Sequence, residues 1–175
     1  VLNGCLLSDS SLRRQNRTER NNIKETAHFI SAGISEEYIK FIKNELPFKF
    51  SFYTHKSKTS FIKKRQQTIT GKEAYFIRSN CDKTLDSLYD KWYPIYNDRK
   101  KLVPRDLVLT PTTVLHWYIG DGQKSTMKSG IRIHTNSFSV EDVEFLQELL
   151  KKEGLIFNVY LKYDKIYDKY YPILT

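Results

Sequence analysis

Two short apolar runs, each closing on an aspartate, constrain the fold more than any other feature of the chain. The first reads Leu2-Asn3-Gly4-Cys5-Leu6-Leu7-Ser8-Asp9 and the second Val114-Leu115-His116-Trp117-Tyr118-Ile119-Gly120-Asp121. Aligned on the acids, they match in polarity at most steps, with a small residue, Ser8 or Gly120, just before each Asp. A helix ends in partial negative charge, so a carboxylate there is disfavoured by the macrodipole. Two such acids brought together repel further unless a cation lies between them. Taken singly, an apolar run ending in Asp is more often a core helix with an exposed terminal acid. The duplication lifts the metal reading above that one and points to a twofold site built from two repeats.

A second internal echo follows each run. His28-Phe29-Ile30-Ser31 precedes a segment from Ser35 to Leu46, and His134-Thr135-Asn136-Ser137 precedes one from Ser139 to Leu150. In each segment a serine stands before acids of the first turn, and apolar residues then recur at helical spacing, the pattern of an N-cap and an amphipathic helix. Ser139 and Asp142 have capping-box spacing. Pro47 and Gly154 stop the two helices. Strand-like alternation comes next in both: Phe48, Phe50 and Phe52 on one face, and later Phe157, Val159 and Leu161. Thr59–Lys64 and Tyr75–Arg78 read as further strands, with Gly71 in the turn. Leu85, Leu88, Tyr89 and Trp92 mark a closing helix capped near Asp82, and Asp98–Pro111 links the halves.

Each repeat thus reads helix, strands, helix, strands, which predicts an α+β fold of two αββαββ(α) units. Residues 1–110 form the first with its linker, and 111–175 form the second. The second lacks a closing helix and the first helix begins without a cap, so the expectation is a piece of a somewhat longer protein with both ends missing, the second repeat being truncated at the C-terminus. The distant Cys5 and Cys81 form no CxxC pair, which disfavours zinc and disulfide scaffolds. No run approaches a membrane span of roughly 20 apolar residues, and no basic leader precedes Val1–Leu7. The charge is uneven: residues 11–80 hold 15 Lys+Arg against 6 Asp+Glu, and the remainder holds 14 of each. The whole excess of +9 therefore lies in one segment, as either a polyanion-binding face or an ordinary solvated basic surface would produce.

The chain resembles the LAGLIDADG homing endonucleases, most closely the double-motif branch of the mitochondrial omega-intron type. The stretch that carries the likeness is Lys100-Lys101-Leu102-Val103-Pro104, then Leu109-Thr110-Pro111, then Trp117-Tyr118-Ile119-Gly120-Asp121-Gly122. In that branch Lys-Lys-x-x-Pro precedes a Leu-Thr-Pro turn and a motif close to Trp-Phe-Met-Asp-Asp-Gly. Thr135-Asn136-Ser137-Phe138-Ser139 and its helix also follow the pattern. The likeness is clear from Arg99 to Leu161 and weaker before it, apart from the first motif.

The resemblance implies two pseudo-symmetric repeats whose motif helices pack side by side at the centre, beneath a saddle of antiparallel strands. Gly4 would permit their close approach. Asp9 and Asp121 would bind Mg²⁺, with Mn²⁺ able to substitute, helped by the backbone carbonyls of Ser8 and Gly120. Lys101 aligns with a lysine near the family's active centre, where it activates water or stabilises charge; its counterpart from the second repeat would fall beyond residue 175. The implied activity is site-specific hydrolysis of both strands of a long DNA target, leaving short 3′ overhangs, by a monomer with an internal pseudo-twofold. His116 at the position of Gly4, and Ser10 in place of a common glycine, depart from the pattern without removing a metal ligand.

Antiparallel ribbons enter the major groove with every second side chain toward the bases. The first-half candidates for DNA contact are Arg13, Arg14, Arg17, Lys24, Lys56, Lys58, Lys63, Arg65, Lys72 and Arg78. Those of the second half are Lys124, Lys128, Arg132, Lys162 and Lys165. The histidines fit neither a zinc site nor a histidine nuclease motif. Tyr118-Ile119-Gly120 has no Gly-Ile-Tyr partner upstream, and intein end residues are absent within 1–175. Two rival functions share the scaffold: a maturase that binds intron RNA, and a catalytically silent DNA-binding protein. Intact Asp9, Asp121 and Lys101 weigh against the second. The abundance of Lys, Asn, Ile, Tyr and Phe fits an AT-rich genome, in an organelle or in a phage or bacterial cytoplasm.

Overall fold

The structure, a computed structural model, describes residues 1–19, 22–57, 59–62, 67–124 and 130–175; at 16–19, 22–24, 60–62, 67 and 69 it describes the backbone alone. Packing divides the chain into two compact units, one of Val1 with Asp9–Tyr89 and one of Leu2–Ser8 with Asp90–Thr175. The division follows contacts, whereas the repeat boundary follows sequence. The first helix, α1 (Leu2–Leu7), belongs by its contacts to the second unit, although the first repeat begins with it.

The first unit is built on a four-stranded antiparallel sheet in the order β1-β2-β6-β3. A long hairpin of β1 (Ser11–Glu19) and β2 (Asn22–Gly33) is followed by α2 (Glu36–Glu45), β3 (Phe50–His55), β4 (Thr59–Ile62), β5 (Gln67–Thr70) and β6 (Ala74–Ser79). Among the described residues β4 and β5 pair with each other in a two-stranded sheet, an excursion between β3 and β6. α3 (Thr84–Trp92) closes the repeat, and Asp82 Oδ1 accepts from the Thr84 amide at its start. Ser35 caps α2 by accepting from the Tyr38 amide, an interaction of about 1 kcal/mol. Ile39 and Ile42 are buried from that helix, with Leu12, Ala27, Phe29 and Ile77 from the sheet and Leu85 from α3.

The second unit repeats this topology. Its sheet has the order β7-β8-β10-β9, formed by β7 (Gly122–Lys124), β8 (Ile131–His134), β9 (Val159–Asp164) and β10 (Lys169–Leu174). α4 (Pro111–Asp121) starts with Thr110 as N-cap and Pro at the first turn, where a missing N–H costs nothing. α5 (Val140–Lys152) is capped by Ser139, which accepts from the Asp142 amide at 3.1 Å. It ends at Gly154, which takes φ +77°, and the Leu155 amide reaches back to the Leu150 carbonyl. Leu6, Trp92, Trp117, Ile133, Leu146 and Leu174 are among the fully buried side chains of this unit. The chain is therefore a duplicated α+β fold. Among the described residues no helix is long and apolar enough to cross a membrane.

Candidate nucleic-acid interface and catalytic centre

Gly4 sets the packing of α1 on α4. A Cβ on this residue would stand 2.4 Å from the Thr113 carbonyl oxygen and 2.7 Å from His116 Cβ, so only glycine fits. The histidine at the matching place in the second run explains why the pairing is asymmetric: the bulk of His116, itself buried, faces the residue with no side chain. The two acids stand at equal distances along the chain from this contact, five residues after Gly4 and five after His116. Asp9 is exposed and is the second residue of the turn that ends α1; Asp121 is half-buried and is the last residue of α4.

Ser8, between α1 and Asp9, turns its hydroxyl back to donate to the Cys5 carbonyl at 3.1 Å. Its own carbonyl accepts from Lys101 Nζ at 3.2 Å. A cation at a helix C-terminus offsets the partial negative charge there, and Lys101 does so at the end of α1. The ammonium also lies 5.9 Å from the Trp92 ring centre and 5.6 Å from that of Phe138, within cation–π range of both. It lines a cleft of about 1060 Å³ with Lys100, Arg105 and Lys169 among others. Gly120 is exposed one residue before Asp121. The donors expected for a metal are thus all oxygens. Among the described residues, no group of three or more His, Cys, Asp or Glu could hold a metal ion. A hard cation such as Mg²⁺ fits this set, because it takes one or two carboxylates and keeps several waters.

Residues 1–172 match the profile of the LAGLIDADG DNA endonuclease family. The chain belongs to that family. Among curated proteins it is 26% identical over 153 residues to uncharacterized protein MJ1098 of Methanocaldococcus jannaschii, a match spanning 86% of this chain and 54% of that protein. The chain thus spans about half the length of that relative. Among solved structures it resembles the homing endonuclease I-WcaI bound to its DNA recognition sequence, with a TM-score of 0.63 and 19% identity over 99% of this chain and 72% of that one. It also resembles I-DmoI in complex with DNA and Ca, with a TM-score of 0.55 and 18% identity over 99% of this chain and 80% of that one. The double-motif LAGLIDADG fold is therefore shared with these enzymes.

Strand register sorts the basic residues that sequence could only nominate. Cross-strand partners share a face and successive residues alternate. In the first sheet the helix-side face holds the buried Leu12, Ala27, Phe29 and Ile77. The opposite face holds Arg13 across from His28, Gln15 across from Thr26, and Arg78 between Ile30 and Ser51; the side chains of Arg17 and Lys24 lie outside the described residues. Tyr53 and Phe76 stack on the same face, ring centres 5.4 Å apart. In the second sheet the open face carries Arg132 across from Gln123, His134, and Lys162 across from Tyr171. His134 Nε2 and Gln123 Oε1 are hydrogen-bonded at 3.0 Å.

Two nominated residues depart from these faces. Arg14 turns to the helix side, where its guanidinium lies 4.6 Å over the Tyr89 ring. Lys124 shares the face of Ile131 and Ile133. Lys56 and Lys72 are exposed just after β3 and just before β6, and Lys165 is exposed in the β9–β10 turn. Lys58, Lys63, Arg65 and Lys128 lie outside the described residues. Sequence reasoning passed over Gln15, His28 and Gln123, because polar uncharged residues and a lone histidine carry no motif.

Among the described residues of the first open face, His28 is the group whose protonation is clearly displaced. Burial, then the positive charges of Arg78 and Arg13, lower its pKa from 6.5 to about 4. The imidazole is therefore neutral at physiological pH, beside two fixed cations.

Proposed function

We propose that this chain is a site-specific DNA endonuclease that cuts both strands of a duplex target, leaving short 3′ overhangs. Asp9 and Asp121 would hold a divalent ion, helped by the backbone carbonyls of Ser8 and Gly120. The observation that carries this reading is the close approach of α1 and α4 at Gly4, with an acid five residues beyond the contact on each side. Membership of the LAGLIDADG DNA endonuclease family supports it, as does the likeness to I-WcaI and I-DmoI, both of which are complexed with DNA in the structures it resembles. The wide basic faces of the two sheets suit a polyanion.

Mg²⁺ or Mn²⁺ bound there supplies Lewis acidity toward the scissile phosphate and lowers the pKa of a water. The chain's residues do the rest. The two carboxylates stand where helix ends disfavour negative charge, so each favours a bound cation over an empty site. The Lys101 ammonium donates to the Ser8 carbonyl, beside Asp9; a donor there would stabilise charge that develops on a phosphate in the transition state. The open faces of the sheets hold and orient the duplex, and the monomer's pseudo-twofold addresses one strand with each repeat.

The test is cleavage of a randomised duplex library with Mg²⁺, followed by Asp9→Asn and Asp121→Asn on the recovered target. Each substitution is expected to abolish cleavage and retain binding. Undiminished cleavage by either one contradicts the shared site. Binding without cleavage by the wild type, with or without Mg²⁺, identifies a silent DNA-binding protein instead, and accelerated splicing of a host intron without DNA cleavage identifies a maturase.

A further inference from the structure

We propose that Gln15 and Arg78, flanked by Arg13, form a donor-only cluster on the open face of the first sheet that selects guanine in the major groove. The inference rests on the DNA-binding reading above and adds a base preference to it. Arg78 donates through Nη2 to Gln15 Oε1 across β2, over 63 residues of sequence. A guanidinium carries donors only, so the amide oxygen of Gln15 is the atom that faces it and the NH₂ group is turned away. A free glutamine reads adenine by using its oxygen and nitrogen together, accepting from N6 and donating to N7. Arg78 takes one of the two lone pairs and turns the oxygen toward itself, so the side-by-side approach to adenine is disfavoured and the NH₂ group is what Gln15 turns outward.

Its neighbours keep the cluster one-sided. Arg13 lies on the same face, in register with His28. His28 is 4% exposed, and its Nδ1 is buried without a hydrogen-bond partner, so it offers the base edge no acceptor from that atom. The hydroxyls of Thr26 and Ser51, across from Gln15 and Arg78, donate as readily as they accept and penalise neither purine. Guanine presents two acceptors, O6 and N7, to such a surface, whereas adenine presents a donor at N6 that meets another donor. Cytosine, with its N4 donor, is excluded in the same way.

The experiment is selection from a randomised duplex library, with Ca²⁺ replacing Mg²⁺, for the wild type, Gln15→Ala and Gln15→Glu. Gln15 is exposed, so both variants are expected to fold, and circular dichroism checks this. The wild type is expected to enrich guanine at one or two adjacent positions. Gln15→Ala loses that discrimination, on the order of 10- to 100-fold, and leaves other positions unchanged. Gln15→Glu keeps the bond to Arg78 but replaces the outward donor with an acceptor, and shifts the preference at that position toward cytosine. A wild-type motif that survives both substitutions overturns the cluster alone, as does a lost position that had preferred adenine. A wild type that enriches no sequence overturns the DNA-recognition reading and the cluster with it.

Discussion

Gly4→Ala tests whether the close approach of α1 and α4 is a requirement or an accident. The added Cβ would meet the Thr113 carbonyl oxygen at 2.4 Å, His116 Cβ at 2.7 Å and the Thr113 carbonyl carbon at 3.2 Å, where ordinary contact begins near 3.4 Å. None of these atoms moves with a side-chain rotation, so α1 must withdraw from α4 by about 1 Å. Overpacking of this kind costs about 1–3 kcal/mol. The better helix propensity of Ala offsets about 1 kcal/mol of that. The expected net loss is up to about 2 kcal/mol, read as a lower urea midpoint at unchanged slope. Activity should suffer more than stability, because Ser8 and Asp9 directly follow α1 and a 1 Å misplacement costs on the order of 100-fold in rate. His116→Ala should not rescue the variant, since it leaves both the Cβ and the Thr113 oxygen in place. A Gly4→Ala protein with an unchanged urea midpoint and full cleavage would refute the reasoning.

Three further outcomes follow from particular contacts. His28 binds a proton more readily unfolded, at 6.5, than folded, at about 4. Its contribution to stability is therefore complete above pH 6.5 and is lost as pH falls toward 4, by at most about 3 kcal/mol. Urea titrations of the wild type and His28→Gln should diverge in that window and nowhere else. Arg105 pairs with Asp142 at 3.1 Å and with Glu141 at 3.2 Å, and its guanidinium lies 4.9 Å over Phe145. Because the Asp142 side chain is only 7% exposed, Arg105→Ala leaves a nearly buried carboxylate and should destabilise by about 1–2 kcal/mol, discounted for the half-exposed arginine. DNA binding should weaken steeply with salt; Lys162→Ala should lower the slope of log K against log [salt] by about 1, and Lys124→Ala, on the opposite face, should leave it unchanged.

Much of this architecture was legible because it was written twice. The serine caps of α2 and α5, the acids behind them and the apolar spacing are local signals, and each repeat reinforced the other. The family likeness tied Asp9, Asp121 and Lys101 together before any packing was known. What sequence could not supply was register. Arg13 and Arg14 are adjacent and identical in chemistry, yet one lies on the open face and the other over Tyr89. A one-residue slip exchanges them, and only the pairing of Arg13 with His28 decides between them. Lys124 was hidden for the same reason. The long β1–β2 hairpin carries few alternating apolar residues, so its extent comes from the pairing of β1 with β2 and not from its own pattern. The tie between Arg78 and Gln15 joins residues far apart in sequence, and no local signal announces it.

The account stands most directly on Asp9 and Asp121 sharing a cation. The decisive measurement is a crystal structure of the protein with its selected duplex and Mn²⁺, with data collected for the anomalous signal of manganese. The account predicts anomalous density between the two carboxylates at the scissile phosphates, with the Ser8 and Gly120 carbonyls turned toward it and the Lys101 ammonium on a phosphate oxygen. Manganese bound at other residues, with Asp9 and Asp121 far apart and facing solvent, would contradict it.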